Sequence, residues 1–347
     1  MTDTTTVLAA PRSSHVRDAG KVSLPWKQLS SSKAPAISQM IQLAISPLQV
    51  NLIGNDLMDE GTEIVADACE NNVDELNMSC NRVSAKGALA IARFLVRSQT
   101  IHTLCLFGNE MGEGGAIAIA EALRSNTSLQ VLNLSYNRIT CEGAVALAKS
   151  IADHPNLQRL DLSGNAIGDE GASALAAACM RSSSLLDFTL SRNHVGDLGA
   201  MSFARALTRN SCKLQSLRLA SSDIGVTGAR ALALSLRSNT TLRTIDMRFG
   251  DLLVGTGRQF FLEALRSNTT LTSCQMVQSM CDRLQCELNR LTSLNKAGRF
   301  IARSKVELLS LALGEINNDP GLIYGLLTEA PHVWMPTSSK KYNIPLY

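Results

Sequence analysis

The stretch best placed to do chemistry is RLDLSGNAIGDEGASALA, residues 159–176. An apolar alternation runs into a glycine-rich turn and then a helical pattern. In that order, backbone N–H groups at a helix N-terminus can cradle a phosphate. A Walker A loop ends in Gly-Lys-Ser/Thr, however, and that tripeptide occurs nowhere in the 347 residues. The glycine spacing also departs from the dinucleotide pattern G-x-G-x-x-G. Asp161, Ser191 and His194 have the residue types of a hydrolytic set, but nothing supplies an oxyanion hole. The five histidines show neither H-x-x-x-H nor H-x-x-E spacing, so neither a metal site nor a cofactor is expected. No two of the nine cysteines form C-x-x-C, and their odd number fits reduced thiols in the cytoplasm.

The totals narrow the function classes. Lys plus Arg is 33 and Asp plus Glu is 30, a balance with no electrostatic footprint for nucleic acid or an anionic membrane. No apolar run is long enough for a membrane-spanning helix, and the first residues, MTDTTTVLAAPRSS, lack the apolar core of a secretory signal. Aromatic residues make up only 4%, which favours thin layers of Leu and Ala over one large aromatic core.

Self-comparison shows why the opening stretch is not a singular loop. Its relatives are VNLIGNDLMDEG, LNMSCNRVSAKG, LCLFGNEMGEGG, LNLSYNRITCEG, FTLSRNHVGDLG, LRLASSDIGVTG and IDMRFGDLLVGTG. The eight copies begin at Val50, Leu76, Leu104, Leu132, Leu160, Phe188, Leu217 and Ile245, in steps of 26 to 29 residues. Each joins a short alternating strand to a helical face such as Ala172, Leu175, Ala176 and Cys179. Neither half can bury its apolar side alone, so neighbouring copies must stack into a solenoid. A column of Asn (Asn55, Asn81, Asn109, Asn137, Asn165, Asn193) stands at the strand ends, where amides can bond to the backbone of the adjoining copy. A column of Gly (from Gly61 to Gly257) suggests a special backbone conformation or a close helix–strand approach.

The pattern L-x-L-x-x-N-x-I-x-x-x-G-A-x-x-L-A-x-x-L, with SNTSL or SNTTL before the next strand, resembles the ribonuclease-inhibitor-type leucine-rich repeat over residues 48–276. The resemblance implies an α/β horseshoe solenoid, with a parallel sheet on the concave face and helices on the convex face. It also implies protein binding on the concave face. Around it, residues 1–35 are expected to be disordered, with Trp26 as a plug on the first copy, and residues 36–47 to cap the array. A degenerate ninth strand is expected at Cys274–Met276. Residues 277–347 are expected to form a helical C-terminal cap and tail, with Asp319 a helix N-cap and Tyr324 or Trp334 available for binding.

Strand side chains alternate between core and solvent, so the residues flanking each core Leu form solvent rows across the copies. Phe107 and Tyr136 project from adjacent copies amid small polar residues, as interface anchors do. Arg159, Asp161, Arg192, His194, Arg218, Asp246 and Arg248 concentrate charge in the later copies. The competing reading pairs Arg159 with Asp187 and Arg218 with Asp246 along the ladder. The favoured function is a non-enzymatic interaction module or scaffold holding a protein partner, of no evident small-molecule substrate, in the cytoplasm. The alternative is a GTPase-activating protein, because the small-GTPase activator of nuclear transport carries this repeat type. Arg82 is the only rough match to that family's arginine, and the acidic segment that follows its repeats has no counterpart here.

Overall fold

The computed structural model describes residues 20–44, 48–69, 72–248, 256–276 and 283–301. Ten strands form one sheet in strictly sequential order, each pair parallel. They are β1 (Lys21–Ser23), β2 (Leu48–Asn51), β3 (Val73–Asn77), β4 (Thr103–Cys105), β5 (Val131–Asn133), β6 (Arg159–Asp161), β7 (Asp187–Thr189), β8 (Ser216–Arg218), β9 (Thr244–Asp246) and β10 (Ser273–Gln275). The helices alternate with them: α1 (Ala34–Leu43), α2 (Met58–Ala68), α3 (Ala85–Arg97), α4 (Gly112–Leu123), α5 (Cys141–Ile151), α6 (Gly168–Arg181), α7 (Asp197–Leu207), α8 (Val226–Leu236), α9 (Thr256–Ser267) and α10 (Arg283–Ile301).

One copy shows how the sequence makes the unit. Leu160 and Leu162 turn inward from β6, Ile167 closes the turn, and Ala172, Leu175, Ala176 and Cys179 of α6 cover them; all are buried. Paired strands lie about 4.8 Å apart, whereas packed helices need about 8–10 Å. Stacking copies with both layers in contact therefore bends the array, with the sheet inside the curve.

Glycine brings the helices together, which corrects one expectation. At Gly171 an added Cβ would lie 3.0 Å from the Cβ of Ala144 in the preceding helix, and Gly143 and Gly199 meet Ala116 and Ala172 in the same way. None of these three glycines has positive φ. The column serves a close helix–helix contact and no special conformation.

Carboxylates then tie the starts of α3, α7 and α8 to the copy before. Asp169 accepts from the backbone N–H of Gly196 (2.7 Å) and Gly199 (2.8 Å) at the start of α7, and Asp197 does the same for Gly225 and Gly228 at α8. Negative charge at these unpaired N–H groups is favourable.

The Asn column alternates in a way the sequence conceals. Every member donates to strand-end carbonyls, but Asn109 and Asn165 also accept two backbone N–H groups from the preceding copy. Asn81, Asn137 and Asn193 leave their buried Oδ1 without a protein partner. Backbone conformation follows the same two-copy rhythm. Arg82, Arg138 and His194 have positive φ in one class, and Met58, Gly112 and Gly168 in the other. Turns of two kinds thus alternate, and equivalent surroundings recur every second copy.

The N-terminal end differs from the sequence-based boundary. Residues 20–35, expected to be disordered, carry β1 and a 3-10 turn at Ser31–Lys33, because β1 pairs with β2 and the Asn55 side chain accepts from Lys27 and Leu29 N–H. At the other end α10 lies against β10 and α9. Its Gln285 supplies the edge strand with a substitute neighbour, donating to Cys274 O (2.8 Å) and accepting from Met276 N–H (3.0 Å). Leu288 and Leu291 close the last apolar face. Asp319, Tyr324, Trp334 and the KKYNIPLY tail lie outside the described residues.

Candidate functional site: an aromatic and arginine strip on the sheet side

Three residues after the end of each of the first eight strands one residue adopts a left-handed backbone: Trp26, Gly54, Cys80, Gly108, Tyr136, Gly164, Arg192 and Ser221, with φ between +52° and +72°. In the first seven members side chains and glycines alternate. Trp26, Cys80 and Tyr136 each reach over the next copy, and the glycine there leaves the space. A Cβ on Gly164 would lie 2.7 Å from Cδ1 of Tyr136, on Gly108 2.9 Å from Cys80 Sγ, and on Gly54 2.0 Å from Cε3 of Trp26. Trp26 does sit on the first copy, with 66% of its surface still exposed.

Tyr136 is the centre of the strip. Its ring crosses Gly164 and its hydroxyl accepts from Arg192 Nη1 at 2.9 Å, two copies away. On the other side, the half-buried Phe107 packs edge-on against it, with ring centroids 5.4 Å apart at 74°. Tyr136 stays 41% exposed. A phenol, a second ring and a guanidinium are thus joined across copies three to six.

The remaining candidates are tied elsewhere. Asp161 accepts from the N–H and the hydroxyl of Ser163 (2.9 and 2.6 Å), and Asp246 accepts from Arg248 N–H. Asn77 and Asn133 bond the backbone two residues on in the same way, so this row closes the strand-end turn. The expected ladder pairs are replaced. Arg218 reaches diagonally to Asp187 (2.7 Å) and Thr189, and the Arg248 guanidinium folds onto the buried Asp246 (2.7 Å). Asp246 is therefore occupied from its own strand end, and Asp187 is taken by Arg218 although Arg159 is its register partner. Arg159 is exposed and has no carboxylate partner among the described residues. His194 lies 3.3 Å from Asp223 in an exposed pair.

No catalytic set assembles from the hydrolytic residue types. Asp161 holds Ser163, the Ser191 hydroxyl accepts from Ala220 N–H, and His194 faces Asp223. Among the described residues no group of three potential metal ligands converges. Arg82 is paired with Asp56 at 3.0 Å. Burial pushes the Cys69 thiol up to about 12 and raises Cys179 and Cys274 as well, so these thiols are protonated core residues. Sequence reasoning did not connect Trp26 to the strip. The signal was available in the large–Gly alternation of one column.

A leucine-rich-repeat family model matches residues 71–92, 125–148, 153–176, 181–204 and 210–233. No curated protein matches the chain. Among solved structures the chain is similar to a chain of the yeast Rad7–Elc1 complex, at 15% identity and a TM-score of 0.53, covering 76% of this chain and 65% of that one. It is also similar to the actin-binding site 2 of leiomodin-1 (16% identity, TM-score 0.36, 57% of this chain and 96% of that one). The Caenorhabditis elegans tropomodulin C-terminal domain gives 17% identity and a TM-score of 0.38, over 44% and 92% of the two chains. Five leucine-rich repeats thus fall on strand–turn–helix units of one sequentially ordered parallel sheet, the architecture of a leucine-rich-repeat solenoid.

Proposed function

We propose that the protein is a non-enzymatic interaction module, a scaffold that captures a protein partner on the sheet side of its repeat array. The observation that carries this reading is the Phe107–Tyr136–Arg192 strip, because exposed aromatic and Arg side chains held rigidly are the residues that dominate interface energies. Protein partners named for similar structures, actin for leiomodin-1 and Elc1 for Rad7, agree with this class of function. The buried Cys69, Cys179, Cys212 and Cys274 are free thiols, which supports a reducing compartment such as the cytoplasm. No helix of the described residues is long and apolar enough to cross a membrane.

The test is affinity capture from the native cell with the wild type and with a Phe107→Ala, Tyr136→Ala, Arg192→Ala, Arg218→Ala quadruple variant. A partner held by the wild type and lost by the folded variant is the expected result. Full capture by the variant would remove the sheet side from consideration.

A further inference from the structure

Charge on the sheet side is mostly satisfied internally, and the exceptions point to a ligand. Arg218 and Arg248 hold carboxylates, as do Arg82 and Arg138 at the neighbouring turns. Arg192 has only a neutral partner, the Tyr136 hydroxyl, and no carboxylate among the described residues. A guanidinium carries five donors in a planar fork that matches a carboxylate bidentately. The Tyr136 contact, made through Nη1, uses one of them and fixes the group in place. Ordering that long side chain in advance removes a cost that binding would otherwise bear. Beside it the Phe107 and Tyr136 rings offer apolar surface, and the small Ser163 and Ser191 keep the neighbouring floor low.

Resting on the interaction-module reading above, we propose that this strip recognises an extended segment of a partner protein in which an apolar side chain and an acidic one stand two residues apart. The apolar group lies on the Phe107–Tyr136 rings and the carboxylate takes the Arg192 fork. Alternate side chains of an extended chain share a face about 6.6 Å apart, a reach suited to adjacent ring and guanidinium subsites. Charge complementarity selects the acid: Arg159, also exposed and without a carboxylate partner among the described residues, adds positive potential on the same side, while the Asp161 carboxylate of the same strand is turned onto the Ser163 N–H and hydroxyl.

The experiment displays a random dodecapeptide library against the full chain, then measures the enriched peptides on Tyr136→Ala, Arg192→Gln and Arg192→Glu, each checked by its thermal melt. Expected are peptides with Asp or Glu two positions from an apolar residue, bound about tenfold or more weaker by each variant. Panning on Arg192→Glu is expected to exchange the acid for Lys or Arg. Peptides that need Tyr136 but show no acidic preference, and bind Arg192→Glu unchanged, overturn the inference and leave the sheet-side reading standing. Peptides indifferent to Tyr136→Ala, Arg192→Gln and Arg192→Glu likewise overturn the inference. A library yielding no enriched peptide overturns the inference alone, because capture of the native partner tests the broader reading separately.

Discussion

The Tyr136 hydroxyl accepts a hydrogen bond from Arg192 at 2.9 Å although fifty-six residues separate them. The ring spans the intervening copy because Gly164 has no Cβ. A methyl there would meet the ring at 2.7 Å, and the backbone has φ +66°. Gly168 has nearly the same φ, +65°, with nothing within 4 Å.

Gly168→Ala is therefore expected to carry only the left-handed backbone penalty, about 1–2 kcal/mol. Gly164→Ala carries that penalty and a displaced ring, together about 2–4 kcal/mol. Urea unfolding of the two variants measures the difference, and the near-ultraviolet tyrosine signal is expected to change only for Gly164→Ala. Equal stability losses would show that Tyr136 does not lie on Gly164.

The alternating amides give a second comparison. Asn165 accepts from Asn137 and Ile139 N–H and donates to Leu134 and Leu162 carbonyls. Asn137 donates to Leu106 and Ser135 carbonyls, but its oxygen has no protein partner. Asn165→Ala strands two more buried backbone groups and is expected to destabilise by about 1–3 kcal/mol more than Asn137→Ala. Paired chemical denaturation curves decide this.

Helix starts depend on the preceding copy. Asp169→Ala removes the acceptor of two α7 N–H groups and is expected to cost about 0.5–2 kcal/mol. Asp169→Asn keeps an acceptor and is expected to lose less. Hydrogen exchange at Gly196 and Gly199 should quicken in the alanine variant before exchange at α8 does.

His154 makes stability depend on pH. It is buried where Asn126, Asn239 and Asn268 stand in other copies, and its Nδ1 accepts from Leu157 N–H at 3.0 Å. Burial lowers its pKa below the usual 6.5. The unfolded chain then binds the proton more readily. The stabilisation is complete above pH 6.5 and declines as pH falls below it, down to the folded value. His154→Asn restores the side chain of the other copies and is expected to flatten the stability profile between pH ~7.5 and ~5 relative to wild type. Identical slopes would place the titration elsewhere.

Periodic burial was legible in the sequence because strand and helix each repeat their apolar residues at a fixed spacing. Leu160, Leu162, Leu175 and Cys179 announced one copy, and seven relatives with the same spacing announced the solenoid. Phe107 and Tyr136 were recognisable as large residues in a row of small ones, and their place beside each other followed from the register. Three features were left to the tertiary structure. Residues 20–35 lack the Leu and Asn pattern, and only pairing of Lys21–Ser23 with the next strand shows that they begin the sheet. Asp187 stands level with Arg159 but is held by Arg218, because long side chains choose partners by reach and competition, which strand register does not encode. Six identical asparagines divide into two bonding classes because the direction of an amide is set by the φ of the turn around it. Composition and spacing determine which surfaces are buried. Hydrogen-bond direction and the routing of charge depend on neighbours that only the stacked array brings together.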